Sequence, residues 1–540
     1  MAQVAVLDQL AGVDCSPPVK AFSPLLFPAL LLAVVLLRYF ATAGATRQQA
    51  MARNRLPPSP PALPLIGHLH LVGAHPHVSM RSLAARHGGE DLMLLRLGAV
   101  PTLVASSPRA AQAVLRTHDQ SLASRPRSIF GDVLGYGPSD VGFAPYGEGW
   151  RRAKKLVTTH LLSARKVQSY RAAREEEVGM VIYRIIRRAA TARAAAVDMS
   201  ELLSAFTNDM VCRAVVGRSF REDGLDKVFK EVMDASMAVL GGFNLENFYP
   251  GLAKVAGGVL MWPGRRKAER LRDRWDEVLD KVIDEHASMA AAGAPASHES
   301  DFTDVLLSVK EEYGLTRDGI KAILADMFAA GTDTAYLVLE YTMAELMQHQ
   351  DVMAKLQAEV RSSIPKGQQE AITEDNLTGM PYLKAVIKET LRLHPPSPLL
   401  LPHLSLEDCN IDGYVVPAGT TVFVNVWAIG RDPKLWDDAE KFMPERFINK
   451  GGAEGVDFRG LDFQFLPFGS GRRMCPGMNF GLASVEIMLA NLVYRFDWEM
   501  PKGVDDIDMT EVFGLTVHRK DKLILAPRLP CACVAESLEG

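Results

Sequence analysis

One decapeptide constrains this chain more than any other feature: Phe468-Gly469-Ser470-Gly471-Arg472-Arg473-Met474-Cys475-Pro476-Gly477. Its three glycines permit sharp turns and let the backbone come close to a bulky group. Arg472 and Arg473 offer charge to an anion. Cys475 sits among backbone N–H groups free of any regular ladder, an arrangement expected to lower its pKa and favour the thiolate. A thiolate presented on a Gly-rich loop suits an axial ligand for iron, whereas the plain reading of a lone cysteine is a small buried hydrophobe. The other cysteines, at 15, 212, 409, 531 and 533, form no CxxC pair and no disulfide framework. Zinc is therefore not expected, and a reducing compartment fits.

A chain of 540 residues can bury a sizeable core around such a loop. With 48% of residues apolar and 23% charged, the balance is globular and excludes a disordered or fibrous protein. Lys+Arg 60 against Asp+Glu 64 leaves a net charge of −4, so nucleic acid is not an expected partner. Helical periodicity dominates, over 178–187, 265–287, 320–350 and 481–496. Short strand-like runs occur early, at 92–97 and 102–105, and late, at 414–416 and 421–426 with Pro417-Ala418-Gly419 as their turn. The expected fold is mainly α with small β-sheets at one side.

The longest helix starts after Thr316, a suitable N-cap with Asp318 in the first turn, and spans roughly 50 Å at the helical rise. Its middle holds Ala330-Gly331-Thr332-Asp333-Thr334, where glycine and polar β-branched residues should weaken the helix and leave carbonyls unpaired. An acid and a hydroxyl inside an apolar helix are costly without a purpose; the alternative is a kink satisfied by its own side chains. Glu389 and Arg392 stand three apart on a helix with the apolar stripe Leu383, Val386, Ile387 and Leu391, ended by Pro395-Pro396. Such pairs are common on surface helices. Arg446, in Pro444-Glu445-Arg446-Phe447, could close this one into a buried triad that fixes geometry.

Near the start, residues 21–37 form an apolar run broken only by Ser23, Pro24 and Pro28, at the lower edge of membrane-spanning length. Arg38, Arg47, Arg53 and Arg55 follow it and only Lys20 closely precedes it, so the positive-inside rule puts the rest of the chain in the cytosol. That placement makes the sequon Asn376-Leu377-Thr378 silent. A cleaved signal peptide is the rival, but the run is longer than a typical signal-peptide apolar region. Pro57-Pro58-Ser59-Pro60-Pro61 then reads as a stiff polyproline spacer. The expected division is an N-terminal segment 1–45 with an anchor over about 21–40, a basic and Pro-rich hinge over 46–70, a catalytic domain over 71–530 and a polar tail over 531–540.

The Cys475 loop, the Glu389–Arg392 pair, Pro444–Phe447 and the 330–334 segment occur in the order and spacing of a membrane-anchored cytochrome P450, a family the chain resembles from the anchor to about Pro530. The resemblance implies the cytochrome P450 fold, haem b as cofactor, Cys475 as proximal iron ligand and Phe468 against the ring. It implies that Arg473 holds a haem propionate. Trp150 and Lys154 match the family's Trp-x-x-x-Arg contact to the propionates, with Lys able to act only as a point charge. His403 stands where many relatives have a further propionate-binding Arg. Glu389, Arg392 and Arg446 resemble the structural triad beneath the haem-binding core. Thr334 would hydrogen-bond the bound oxygen and Asp333 would help deliver protons. The implied reaction inserts one atom of O₂ into a small hydrophobic aromatic substrate, with electrons passed from NADPH by cytochrome P450 reductase. Its implied setting is the endoplasmic reticulum membrane, in contact with lipid through a single span, with the catalytic domain facing the cytosol.

Finer stretches, 63–70, 327–334 and 509–517, are similar to grass enzymes of benzoxazinoid defence biosynthesis, which hydroxylate indole, indolin-2-one and their successors. By that analogy the pocket is lined by 128–141, by Phe328 and Ala329, by 397–401 and by 513–516, and its apolar and aromatic walls suit a small flat heterocycle. A hydroxylase of another plant aromatic or terpenoid metabolite is the alternative, and a reductase-independent haem-thiolate isomerase a more distant one. The presence of Asp333 and Thr334 argues against the isomerase.

Overall fold

The computed structural model describes residues 56–529 except 192–195, 222–223, 225, 242–243, 252–261, 293–299, 365–370 and 449–450. The anchor expected over about 21–40, the 46–55 part of the hinge and the 531–540 tail lie outside the described residues.

Apolar residues at helical spacing give, in chain order, α1 Pro76–His87, α2 Glu148–Leu156, α3 Arg171–Thr191, α4 Met199–Val216, α5 Asp226–Leu240, α6 Trp262–Ala291, α7 Arg317–Gln348, α8 Gln350–Ser362, α9 Pro381–Leu393 and α10 Met478–Arg495. Each helix expected from periodicity is present, with α7 ending at Gln348 rather than 350 and α10 at Arg495 rather than 496. The main core lies between α3, α4, α7, α9 and α10, where Ile185, Leu203, Phe206, Leu339, Met343, Val386 and Leu489 are buried together. The Thr316 hydroxyl accepts the Gly319 N–H at 3.0 Å and caps α7 as its sequence predicts.

Through 330–334, α7 is unbroken, which corrects the expectation of a weakened stretch with free carbonyls. The stretch itself is only half-buried, but the buried residues on either side, Phe328 and Leu337 among them, anchor the helix and carry it through. Gly331 serves packing instead: a Cβ at that position would meet Val211 Cγ2 of α4 at 2.9 Å, so the missing side chain lets the two helices approach. Among the described residues, α7 is also long and apolar enough to cross a membrane, but it runs through the protein core, with Leu337, Leu339, Met343 and Leu346 buried.

The early strand runs are strands and pair as a hairpin, β1 Leu92–Leu97 antiparallel to β2 Val100–Ala105. With β3 His403–Leu404 and β4 Thr421–Val424 they make a sheet of order β1-β2-β4-β3, in which β2 and β4 are parallel. The late pairing differs from expectation, because Tyr414–Val416 pairs with Cys409–Ile411 while β4 joins β2. Val422 and Val424 of β4 are fully buried in that larger sheet, a burial that an isolated hairpin cannot supply. A last hairpin, β5 Glu511–Phe513 and β6 Val517–Arg519, packs against α7.

The spacer expected over 46–70 does not extend through residues 57–70, which fold onto β1. Pro57 and Pro60 are buried, and the Pro58 carbonyl accepts the Leu94 N–H at 2.9 Å. Buried His68 accepts the Arg96 N–H on Nδ1 at 2.7 Å and donates from Nε2 to the Pro60 carbonyl at 2.8 Å. A Cβ on Gly67 would collide with the Arg96 carbonyl oxygen at 2.1 Å, so only glycine allows this approach. These contacts outweigh the solvated polyproline form, and the catalytic body begins at Pro57 rather than at residue 71.

Candidate active site

A cavity of about 330 Å³ opens above Cys475, between the Cys475 loop and α10 on one side and α7 on the other. The loop is closed on itself by the Cys475 N–H, which donates to the Phe468 carbonyl at 3.0 Å. The Phe468 ring lines the cavity and packs on Phe458. The Cys475 side chain is exposed to the cavity yet lies deep below the protein surface, and depth governs its proton affinity. Burial pushes the thiol up, against the pull of the Gly477 and Met478 amides and the Lys154 ammonium. The amides act as the sequence predicts, but desolvation outweighs them, and the expected net lowering is not met. A metal ion at the sulfur reverses that balance, since a coordinating thiol is deprotonated outright.

Cations crowd the same cavity, Arg125 buried and Arg473 and Lys154 half-buried. Arg473 donates to the carbonyls of Ala123 at 2.7 Å and Ala144 at 2.6 Å, and its guanidinium lies 4.0 Å over the Trp150 ring. Trp150 itself donates to the Val141 carbonyl at 3.0 Å, and Lys154 to the Met474 carbonyl at 2.6 Å. Arg125, which no motif singled out, donates to the carbonyls of Gly142, Leu401 and Pro402. Burial, reinforced by their mutual repulsion, drags Arg125 down to about 9 and Lys154 to about 8; burial takes Arg473 to about 10. His403 donates from Nδ1 to the Leu122 carbonyl at 2.9 Å, and burial with the Arg125 charge pushes it down to about 3. It is a neutral ring rather than the cation its alignment with an Arg position suggests. Arg472 points away, to Asp119 at 3.0 Å.

Three cations, one buried and two half-buried, whose described hydrogen bonds go to main-chain carbonyls, gathered around a cavity with a cysteine on its wall, fit a flat group with acidic tails and a metal centre. Haem is such a group. Arg125→Ala should then speed haem loss about 10-fold, because hydrogen bonds to charged groups are worth roughly 1.5–3 kcal/mol. Transfer of haem to an acceptor apoprotein measures this, and an unchanged rate removes Arg125 from the haem site.

On the opposite wall, Thr334 faces the cavity and its hydroxyl donates to the Ala330 carbonyl at 2.8 Å. Asp333 does not line the cavity. Its carboxylate accepts the Thr516 hydroxyl and lies 3.2 Å from His518 Nε2, so the β5–β6 hairpin holds it. Nearby, Asp326 of α7 lines the cavity and accepts the Val141 N–H at 2.6 Å, pinning the loop above it. Burial and the neighbouring Asp140 push that carboxyl well up. The rest of the wall is mainly apolar, including Leu134, Met237, Leu240, Trp275, Ala329 and Leu515. The expected ranges 128–141, 397–401 and 513–516 line the cavity only in part, and two aromatic residues expected there are elsewhere: Phe328 is fully buried against Phe220, Phe229 and Trp275, and Phe513 stacks on His77.

Beneath the loop the Glu389–Arg392–Arg446 triad closes. The Glu389 carboxylate accepts from Arg392 Nε and Nη2 at 2.8 Å each, from Arg446 Nε at 3.0 Å and from the Met443 N–H at 2.7 Å. All three side chains are buried.

A cysteine loop under a cation-lined cavity, a crossing helix with an acid–threonine pair and a buried Glu–Arg–Arg triad define a haem-thiolate enzyme. Residues 57–526 match the family model Cytochrome P450, and the chain belongs to that family. It is 53% identical over 504 residues to an indolin-2-one monooxygenase of Zea mays, covering 93% of this chain and 94% of the relative. An indole-2-monooxygenase of Zea mays is 54% identical over 513 residues, with 93% and 94% covered. A 3-hydroxyindolin-2-one monooxygenase of the same plant is 49% identical over 545 residues, covering 99% of this chain and all of the relative. The fold is similar to a zebra fish cytochrome P450 solved with abiraterone, at TM-score 0.70 and 25% identity over 85% of this chain and 100% of that one. The protein is thus a monooxygenase with a haem-thiolate centre, of a family that uses O₂ and a redox partner on hydrophobic substrates and whose plant members are typically membrane-bound.

Proposed function

We propose that this enzyme hydroxylates indole, indolin-2-one or a successor such as 3-hydroxyindolin-2-one in benzoxazinoid (DIBOA) defence biosynthesis. The observation that carries the reading is the coincidence of full-length relatives named for these three substrates with a pocket of apolar and indole walls above Cys475. Microsomes containing the protein, supplied with NADPH, O₂ and each of the three substrates in turn, should add one oxygen atom to at least one of them. No mass gain on any of the three, from enzyme that oxidises another plant aromatic, would overturn the substrate class.

Bound haem supplies the activation of O₂; the chain's own residues hold it, exclude water and move protons. Cys475 is its ligand, kept in register by the hydrogen bond to Phe468, whose ring flanks the site. Arg473, Lys154 and Arg125 take the propionates, Trp150 braces Arg473 through its ring face, and His403 fixes the Leu122 turn beside them. Thr334 holds its hydroxyl at the wall facing the reacting centre, and Asp333 passes protons towards it.

If so, Thr334→Ala should lower the product formed per NADPH oxidised several-fold, taken per haem, with peroxide appearing instead. An unchanged ratio would leave Thr334 only its bond to Ala330. NADPH-cytochrome P450 reductase is the electron donor, and an N-terminal single span holds the enzyme on the endoplasmic reticulum with the catalytic domain in the cytosol. Removing residues 1–45 should therefore shift the protein from the membrane to the soluble fraction on sedimentation while haem content per chain stays level.

A further inference from the structure

We infer that His518 is the point at which protons from solvent enter the path to Asp333, with the Thr516 hydroxyl as the bridge between them. The inference rests on the reading of Asp333 as a proton carrier, and it answers a question that reading raises. Asp333 is walled off from the cavity by its own contacts, so a carrier in that position needs a source.

The contacts supply one. His518 Nε2 lies 3.0 Å from Thr516 Oγ1 and 3.2 Å from Asp333 Oδ2, while the Thr516 hydroxyl donates to Asp333 Oδ2. One assignment of hydrogens satisfies all three contacts: Nε2–H points at the hydroxyl oxygen and the carboxylate, and O–H points at the carboxylate. The relay has a solvent end at His518, and it touches the cavity at the bridging Thr516 rather than at Asp333. The His518 side chain is 36% exposed, whereas Thr516 is 5% exposed and lines the cavity beside Thr334.

The surroundings favour a loaded imidazole. From α7 it faces Asp333, Glu340 and the Tyr336 ring, from α5 Asp234, and from its own hairpin Thr516 and Arg519, the last 4.0 Å from Glu340. Burial works against protonation, but the hydrogen bond and charge of Asp333, with Glu340 and Asp234 behind it, outweigh burial and raise the ring above its ordinary value. An imidazole whose hold on its proton is strengthened by a neighbouring carboxylate is loaded to give that proton, and at the surface it can regain one from water.

The transfer balances without a co-reactant. The Nε2–H bond breaks and its proton joins Thr516 Oγ1, the hydroxyl's own proton passes to Asp333 Oδ2, and a neutral imidazole faces a neutral carboxylic acid. One proton has moved and no electrons. Rotation of the half-exposed ring and proton uptake from water restore the start.

A structural role for His518 would look alike in a single deletion, so the test uses two replacements. His518→Gln keeps an N–H donor for Asp333 but cannot carry a proton, and His518→Phe keeps only a ring. Haem-loaded enzyme with its reductase is assayed for product per NADPH oxidised, per haem, between about pH 6 and about pH 9. In the wild type the ratio should fall as pH rises through the His518 titration. Both variants should show a ratio lowered about fivefold or more, well within the range for loss of a general acid, and flat with pH. Separately, NMR of labelled histidines should show His518 titrating lower in Asp333→Asn than in the wild type.

Wild-type coupling in His518→Gln would overturn the inference by reducing His518 to a prop. Uncoupling in Asp333→Asn with intact coupling in both His518 variants would place proton entry elsewhere while leaving Asp333 its role. Intact coupling in Asp333→Asn would remove the carrier and the inference with it. An unchanged His518 titration in Asp333→Asn would show that the pair does not exist in solution, and would overturn the inference as well.

Discussion

Cys475→Ala should abolish the red-shifted Soret band of the ferrous–CO complex and, with it, all monooxygenase activity. That band reports thiolate donation to iron, and thiolate donation favours O–O cleavage. The loss should not be a folding defect. The hydrogen bond that closes the loop runs from the Cys475 main-chain N–H to Phe468, and alanine keeps it. Gly469 and Gly471, at φ of 68° and 69°, shape the turn independently of the sulfur. A CO difference spectrum read beside the thermal unfolding of the same sample separates the two effects. A retained red-shifted band would place the ligand elsewhere.

Glu389→Ala should be the most damaging single change outside the haem ligand. The carboxylate receives four N–H donors in a site with no accessible surface, and its removal strands two guanidinium groups there. Breaking a buried pair in this way costs about 3–5 kcal/mol, a large share of the stability of a typical domain. Arg392 also holds the carbonyls of Ala439 and Lys441, so the damage reaches the segment that leads into the Cys475 loop. The expected result is little or no haem-loaded protein and, for whatever folds, a large drop in the denaturant midpoint. Arg392→Lys keeps a charge but cannot serve both carboxylate oxygens and the carbonyls, and should fall between alanine and wild type. An unfolding free energy for Glu389→Ala within about 1 kcal/mol of wild type would mean that the pair behaves like a surface i,i+3 contact, and that its burial does not matter.

The division between what could be read in advance and what could not follows the range of the forces involved. Helix positions, the Thr316 cap, the β1–β2 hairpin and the Cys475 loop are written in neighbouring residues, because periodicity, capping and turn chemistry act over a few positions. The Glu389–Arg392 contact belongs to that class too, and its third member carried a local signal in Pro444–Phe447. Arg125 did not: flanked by Ser124 and Pro126 it resembles any loop arginine, and only its enclosure by Gly142 and by Leu401–Pro402, the latter brought from far along the chain, places it among the cations of the cavity. The same holds for Asp333, whose partner Thr516 is 183 residues away.

Local rules also mispredicted where packing competes with propensity. Gly331 reads as a weak point of α7 and is the contact point with Val211; β4 reads as half of a hairpin and joins β2. The 57–61 prolines read as a rod and lie against β1. In each case burial against a distant segment exceeded what the local sequence favoured. The proton affinity of Cys475 is the sharpest instance. Its own loop determined that backbone amides surround the sulfur, whereas only the tertiary structure decided how deeply they lie, and desolvation, which depends on everything within reach rather than on neighbours in sequence, set the sign.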